Sequence, residues 1–432
     1  MKKLAVCLLI VINTLWLTGC WDRMEINDLA IVTAVGVDKL EDGHICLTLL
    51  IPAPRLFPSA GGGGGGGGGD GGDKAPTIIM SEYGKTIMDA FRRLQEKSSR
   101  EIMFSHVRFI VIGERLARSG VNEALDFFSR YRQSNLRAHV LVTQDDIAEL
   151  MAGDPGIERT VSELIHEEGE MGISVRIDLK DFIAMLTEEG TNPVAGRLEM
   201  VSLVMEHKKK DEEKSEENGQ ENGQKKDQEK GQENGQENKK KPKKTLSIRG
   251  AAIFHKDKLV GWMNDAEARG LIWLRDEMEQ GVITVAIPED KGGGRISVRL
   301  KEAKAKFKPQ IEGETLHMSL TIFTQAVVYE SSSKMDLSDP KSIVYIENAV
   351  GNSIQKRVER ALFLIQKQFR SDTVGFGTAL YRKYPKEWLH AYKDTWDELF
   401  PELDIPVALN VRIPRVGFVT KSLTREESEF VK

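Results

Sequence analysis

The sequence predicts a mixed α/β (α+β) protein made of three unlike segments, with mixed or antiparallel sheets. Two patterns carry that expectation. Up to about Met205, strand-like and helix-like stretches alternate, the order that builds α/β or α+β domains. After Ile296, two long alternating strands lead into a long amphipathic helix in the C-terminal segment. Its apolar residues, from Ile343 and Ile346 through Val350, Ile354, Val358 and Leu362 to Ile365 and Phe369, recur every three or four positions. At 432 residues the chain is long enough for two or three domains with sizeable cores. The expected divisions are a leader over 1–19, an N-terminal α/β domain over 20–200, a middle domain over 201–290 and a C-terminal α+β domain over 291–432.

Leu29 to Val37 reads as a strand, Asp38 to His44 as turn chemistry and Ile45 to Ile51 as a second strand, together a hairpin. Residues 59–74 form a glycine-rich loop with almost no side chains to pack. Thr77 to Ser81 is a short strand. Thr86 to Ser98 is a helix with Ile87, Ala90, Phe91 and Leu94 on one face. A strand (Val107–Ile112), a helix (Val121–Tyr131), a strand (Arg137–Thr143) and a helix (Asp145–Met151, capped by Asp145) follow. Asp178 to Glu189 is a further helix. A strand over Arg197–Glu206 meets the charged stretch 208–244, which holds no aliphatic or aromatic residue and repeats ENGQ. Such a stretch cannot offset the entropy of ordering, so it reads as a disordered insertion between paired strands.

Leu246–Phe254 and Lys258–Trp262 form a hairpin turning at Lys256-Asp257. Asn264 or Asp265 then caps a helix, with Glu267 in capping-box position relative to Asn264. Strands Ile296–Phe307 and Thr315–Tyr329 flank a connection over Pro309–Glu314, with Gly313 at its turn. Asp339-Pro340 opens the long helix, expected to reach Phe369, and Val407–Ile413 is the last strand.

The first residues carry an address. Lys2 and Lys3 precede an apolar run from Leu4 to Leu17, which fits a secretory signal and is short for a membrane span; the alternatives are an uncleaved anchor or a buried helix. Leu17-Thr18-Gly19-Cys20 resembles the lipobox of bacterial lipoproteins. That likeness implies cleavage before Cys20 and a diacylglyceryl group on its sulfur, with an N-acyl chain as a further modification. Two acyl chains anchor stably where one is marginal, at about 0.8 kcal/mol per buried CH₂. The chain is thus expected as a lipoprotein ectodomain held to the bilayer through Cys20. With Cys7 removed and Cys20 acylated, Cys46 is left alone, so no intrachain disulfide is expected.

A net charge of −5 gives no basic signature, so no nucleic-acid partner is expected. Gly-x-Ser-x-Gly, His-Glu-x-x-His, Cys-x-x-Cys and phosphate-loop patterns are missing from the sequence. His166-Glu167-Glu168 lacks a second ligand at helical spacing, so neither a metal site nor a cofactor is expected. A Ser/His/Asp triad drawn from distant positions stays open.

Three groups of residues resemble one family. Cys20-Trp21-Asp22-Arg23-Met24-Glu25-Ile26-Asn27-Asp28 with Ala34-Val35-Gly36-Val37-Asp38 is similar to the mature start of the Ger(x)C spore germination lipoproteins. Leu259-Val260-Gly261-Trp262-Met263-Asn264 with Glu267, Arg269 and Gly270 is similar to their central signature. Asp372, Gly375-Phe376-Gly377, Tyr384-Pro385 and Trp388 are similar to their C-terminal motif. The likeness implies a three-domain, non-enzymatic C subunit of a GerA-type nutrient germinant receptor. It would be lipid-anchored on the outer face of the inner spore membrane, beside a transporter-like B subunit and a channel-like A subunit. The polyglycine and ENGQ tracts depart from the family pattern. A solute-binding lipoprotein of a membrane transporter is the alternative, and would show two similar lobes around a cleft.

Each motif keeps two readings. Trp21, Asp22, Arg23 and Glu25 lie just past the anchor and serve either as interfacial and partner contacts or as a tether. Gly261, Trp262, Asn264, Glu267, Arg269 and Gly270 either keep the fold or meet a partner. Gly375 and Gly377 read as turn glycines.

Overall fold

The computed structural model of the protein describes residues 25–53, 77–155, 158, 160–170, 174–202 and 244–415. The leader, Cys20, Trp21, Asp22, Arg23, the glycine-rich loop and the insertion up to Lys243 lie outside the described residues.

Two sheets organise the chain. Strands β1 (Leu29–Ile31), β2 (Ala34–Lys39), β3 (Ile45–Pro52) and β4 (Thr77–Gly84) lead to helix α1 (Ile87–Lys97). Then come β5 (Glu101–Met103), β6 (Phe109–Gly113), α2 (Glu114–Ser119), α3 (Asn122–Arg130), β7 (His139–Thr143), α4 (Ile147–Met151), α5 (Val161–Glu170) and α6 (Leu179–Thr187). Strands β8 (Val194–Ser202), β9 (Lys244–His255) and β10 (Lys258–Met263) complete an eight-stranded mixed sheet in the order β10-β9-β8-β7-β6-β2-β3-β4. Its centre, β8-β7-β6-β2, is parallel, and both margins are antiparallel.

The central strands are covered on both faces. Ile110 and Ile112 point into the core with Leu94, Leu125 and Phe128, whereas Phe109 and Val111 meet Ile147, Leu150 and Ile165 on the other side. That two-sided burial is why FIVIG is an unbroken apolar run and why HVLVT is buried at every position rather than alternating.

Helix α7 (Asp265–Leu274) leaves the first sheet and leads to the second, formed by β11 (Val282–Ala286), β12 (Arg295–Glu312), β13 (Thr315–Ser331) and β14 (Val407–Arg415) in that spatial order. Between β13 and β14 run α8 (Pro340–Phe363) and α9 (Phe376–Lys383). Helix α8 packs on α7, β11 and β14. Its stripe Ile346, Val350, Ile354 and Val358 is fully buried in a core continuous with that of the first sheet.

Several expectations are corrected. The strand foreseen over Leu29–Val37 breaks at Val32-Thr33, because β1 pairs with β5 while β2 pairs with β3 and β6. Asp146 caps α4 by accepting the Glu149 N–H at 2.9 Å, and Asp145 instead accepts the Met200 N–H of β8 at 3.0 Å. Strand β12 runs through Pro309 to Glu312, with Pro309 opposite Met318. There β12 has passed the end of β11 and is an edge strand, where a missing N–H is tolerated. The long helix turns π-helical over Leu364–Gln368, and the buried Gln366 amide donates to the Phe400 and Leu403 carbonyls at 2.9 and 2.8 Å. Apart from these corrections, position 200, the expected end of the N-terminal domain, lies within β8. Segment 201–290 is shared between the sheets, since β9 and β10 join the first and β11 the second.

Candidate functional site

Helix α7 and the strand before it carry the central motif. Strand β10 has a bulge between Leu259 and Gly261. A β-carbon at Gly261 would lie 2.2 Å from a ring carbon of Phe369, so only glycine admits that ring against the strand. Trp262 is half-buried: its indole N–H donates to Glu114 Oε1 at 3.0 Å, and the Arg197 guanidinium lies 5.4 Å from its ring centroid. Burial raises the Glu114 carboxyl, but hydrogen bonds from Trp262, Gln144 and Arg118 outweigh it and hold the group below its ordinary range.

Asn264 starts α7 through a full capping box. Its Oδ1 accepts the Glu267 N–H at 3.0 Å, and Glu267 Oε2 accepts the Asn264 N–H at 3.1 Å. The second Glu267 oxygen takes Arg360 of α8 at 2.9 Å. Arg269 pairs with Asp265 one turn back at 2.9 Å. A β-carbon on Gly270 would sit 2.2 Å from the Arg357 carbonyl oxygen, so α7 and α8 touch backbone to backbone at this point. The six motif residues thus gather at one joint between β10, α7 and α8.

A second joint lies at the C-terminal motif. Asp372 is buried, and its Oδ1 accepts the N–H groups of Val374, Gly375 and Phe376 at 3.2, 2.8 and 3.1 Å. Oδ2 accepts the Gly377 N–H at 2.8 Å and the Trp396 indole N–H at 3.2 Å. Burial outweighs the four backbone donors and pushes this carboxyl above its ordinary range. Gly375 has φ of 91°, a left-handed backbone that glycine adopts freely. At Gly377 a β-carbon would come 2.6 Å from the Gly190 Cα, so two glycines from distant parts of the chain are in contact. The loop also reaches the first sheet: the Asp372 carbonyl accepts the Asn192 N–H at 2.7 Å, and Asn192 Oδ1 accepts the Lys256 N–H at 2.7 Å. Ser371 donates to the Phe254 carbonyl, and Arg275 donates to that of Thr373. Nearby, the Trp388 indole lies 5.4 Å from that of Trp396 and donates to Glu189 at 3.4 Å.

The sequence reading missed the partners that complete these joints, Glu114, Glu189, Asn192, Phe369 and Arg360. Each is far away along the chain; Phe369 shows only as the end of the apolar stripe, and the other four carry no local signal. Asp372 had one: an Asp followed by glycines at the third and fifth positions is the pattern of a side chain capping its own turn.

Elsewhere, His139 is buried with Nδ1 2.8 Å from Asp178 Oδ1, and Arg176 donates to its Nε2 at 3.1 Å. Burial lowers its pKa. Cys46 is half-buried with its thiol raised by burial, the state of an unreactive cysteine. A cleft of about 570 Å³ between α1 and α3 is lined by Met88, Phe127 and Tyr131. Among the described residues no group of three or more His, Cys, Asp or Glu is arranged to hold a metal, and no helix is long and apolar enough to cross a membrane. Glu25 is exposed, and its carbonyl accepts the Asp28 N–H at 2.9 Å.

Both joints fall within stretches that match family models. Residues 22–200 match the spore germination protein N-terminal domain, and residues 249–417 match the C-terminal part of spore germination B3/GerAC-like proteins. The chain belongs to the GerAC-like family of spore germination proteins. It is 28% identical over 432 residues to spore germination protein KC of Bacillus subtilis (strain 168), covering 96% of both chains. Spore germination protein GerQC of Bacillus cereus is 22% identical over 417 residues, covering 95% of this chain and 98% of the relative. The crystal structure of the GerBC protein superposes with a TM-score of 0.51 over 88% of this chain and 96% of that one, at 17% identity. The fold is therefore that of GerBC, a mixed α/β architecture of several domains. The ENGQ tract falls between the two matched stretches.

Proposed function

We propose that this protein is the lipid-anchored C subunit of a nutrient germinant receptor. The observation that carries the reading is a match running nearly end to end through both family domains, in a chain that opens with a signal-like leader and Leu17-Thr18-Gly19-Cys20. On this reading Cys20 carries diacylglycerol and an N-acyl chain. The chain sits on the outer face of the inner spore membrane and supports receptor assembly with the transporter-like B and channel-like A subunits. Its own chemistry is that of a binding scaffold: the polar groups of the two motifs are taken up by contacts within the fold. A solute-binding lipoprotein is disfavoured, because its two lobes would be alike, whereas here an eight-stranded mixed sheet is joined to a four-stranded one.

The test is Cys20→Ala in sporulating cells, followed by membrane fractionation, labelling with a clickable fatty acid and co-purification of the A and B subunits. The expected outcome is an unlabelled protein that leaves the membrane fraction and a slowed nutrient response. Retention of anchoring and a normal response in an unlabelled protein would sink the proposal.

A further inference from the structure

The two faces of the four-stranded sheet differ. On the inner face Ala303, Ala305 and Phe307 pack into the core, with the Phe307 ring 4.8 Å from that of Phe376. The outer face has no element packed over it among the described residues. Along it Lys304, Lys306 and Lys308 alternate with the buried positions, about 7 Å apart, and all three are exposed. Cross-strand register sets them opposite Phe323, Thr321 and Ser319 of β13. Phe323 and Thr321 in turn face Asn410 and Ala408 of β14, and Gln325 faces Arg412. Phe323 is 42% exposed and stands on this face between Lys304 of β12 and Asn410 of β14. Farther along, Arg299 covers the exposed Tyr329 ring at 5.7 Å.

Cations dominate this face. Among the described residues, none of the three lysines is held in an ion pair. The acidic groups nearby are Glu302 and the exposed Glu312 at the two ends of the same row and Asp276, Glu277 and Glu279 along the open edge of β12. Of these, Asp276 already accepts the Ala305 N–H at 2.6 Å and Glu277 pairs with Arg275. Three exposed lysines beside an exposed aromatic ring, with Arg412 on the same face, offer cations to a partner's carboxylates and one apolar contact among them. Glu302 argues in the same direction. A uniform anionic bilayer could not avoid it, whereas a patterned protein surface can place a base or a gap opposite.

We propose that the outer face of β12–β13–β14 is a docking surface for an acidic segment of a partner protein, with Lys304, Lys306 and Lys308 pairing its carboxylates and Phe323 as the apolar anchor. The experiment places the photocrosslinker p-benzoylphenylalanine at position 323 of the full chain in spore membranes and maps the adduct by mass spectrometry. The expected adduct is a peptide of another protein that is rich in Asp and Glu. The triple variant Lys304→Glu, Lys306→Glu, Lys308→Glu should cut its yield about tenfold or more, since like charges then oppose each other. Exposed lysines carry none of the core, so the variant should melt with the parent. Reversing the mapped carboxylates to lysine should restore the yield in the triple variant. Adducts to lipid alone, adducts to this chain's own 203–243 segment, a peptide without acidic residues, no adduct, or a yield indifferent to the triple variant would each overturn the proposal.

Discussion

The Gly261–Gly270 motif and the Asp372–Gly377 loop both secure the seam between the two sheets, but with different materials. The first is a set of pairwise contacts at half-exposed positions: a capping box, a Glu267–Arg360 pair and an indole donating to Glu114. The second concentrates on one buried carboxylate that takes five N–H donors at once. Removing a half-exposed pair lets water take over. Removing the acceptor of a buried cluster strands several donors together, and each stranded group costs about 1–3 kcal/mol. The loop should therefore be the brittle joint and the motif the tolerant one.

The sharpest way to break that contrast is Asp372→Ala. It should lower stability by at least about 3 kcal/mol in a urea melt of the detergent-solubilised protein. A smaller loss than that of any single change in the central motif would reverse the ranking.

What was legible beforehand follows the same division between local and distant contacts. The capping box was readable because Asn264 and Glu267 are three residues apart and satisfy each other. The β9–β10 hairpin was readable for the same reason, its turn residues lying between two apolar runs. By contrast Trp262 and Glu114 are 148 positions apart, and no pattern in either segment announces the other. Strand β11 went unread because VITVA is short and its alternation acquires meaning only beside β12. Pro309 misled for a related reason: proline argues against a central strand, and only tertiary context shows that β12 is an edge there. Helix α2 went unread because it is only six residues long, too short for a helical period to repeat.

Next in size is Gly270→Ala. In an ordinary helix this change should stabilise by about 1 kcal/mol. Here the new β-carbon would meet the Arg357 carbonyl, a backbone atom that cannot swing aside, so α7 and α8 must separate. Overpacking of this kind costs about 1–3 kcal/mol, enough to reverse the sign. A neutral or stabilising result would show that the helices are free to slide, and that the motif's glycine does not set their spacing.

The smallest effect tests whether the half-exposed joint is really tolerant. Trp262→Phe keeps the ring beside Arg197 and deletes the bond to Glu114, for an expected loss of about 1 kcal/mol. The acid limb distinguishes this from simple loss of packing. Glu114 is held below its ordinary value of 4.5, so the folded state favours its ionised form. The stability it contributes is present above pH 4.5 and fades as pH falls through the lower, folded value. Glu114→Gln should therefore be less stable than the parent near neutrality, with the gap closing in acid, and Trp262→Phe should close part of the same gap. Parallel curves for parent and Glu114→Gln would mean that the carboxylate gains nothing from Trp262, Gln144 and Arg118, leaving packing of the indole as the whole of the joint on that side.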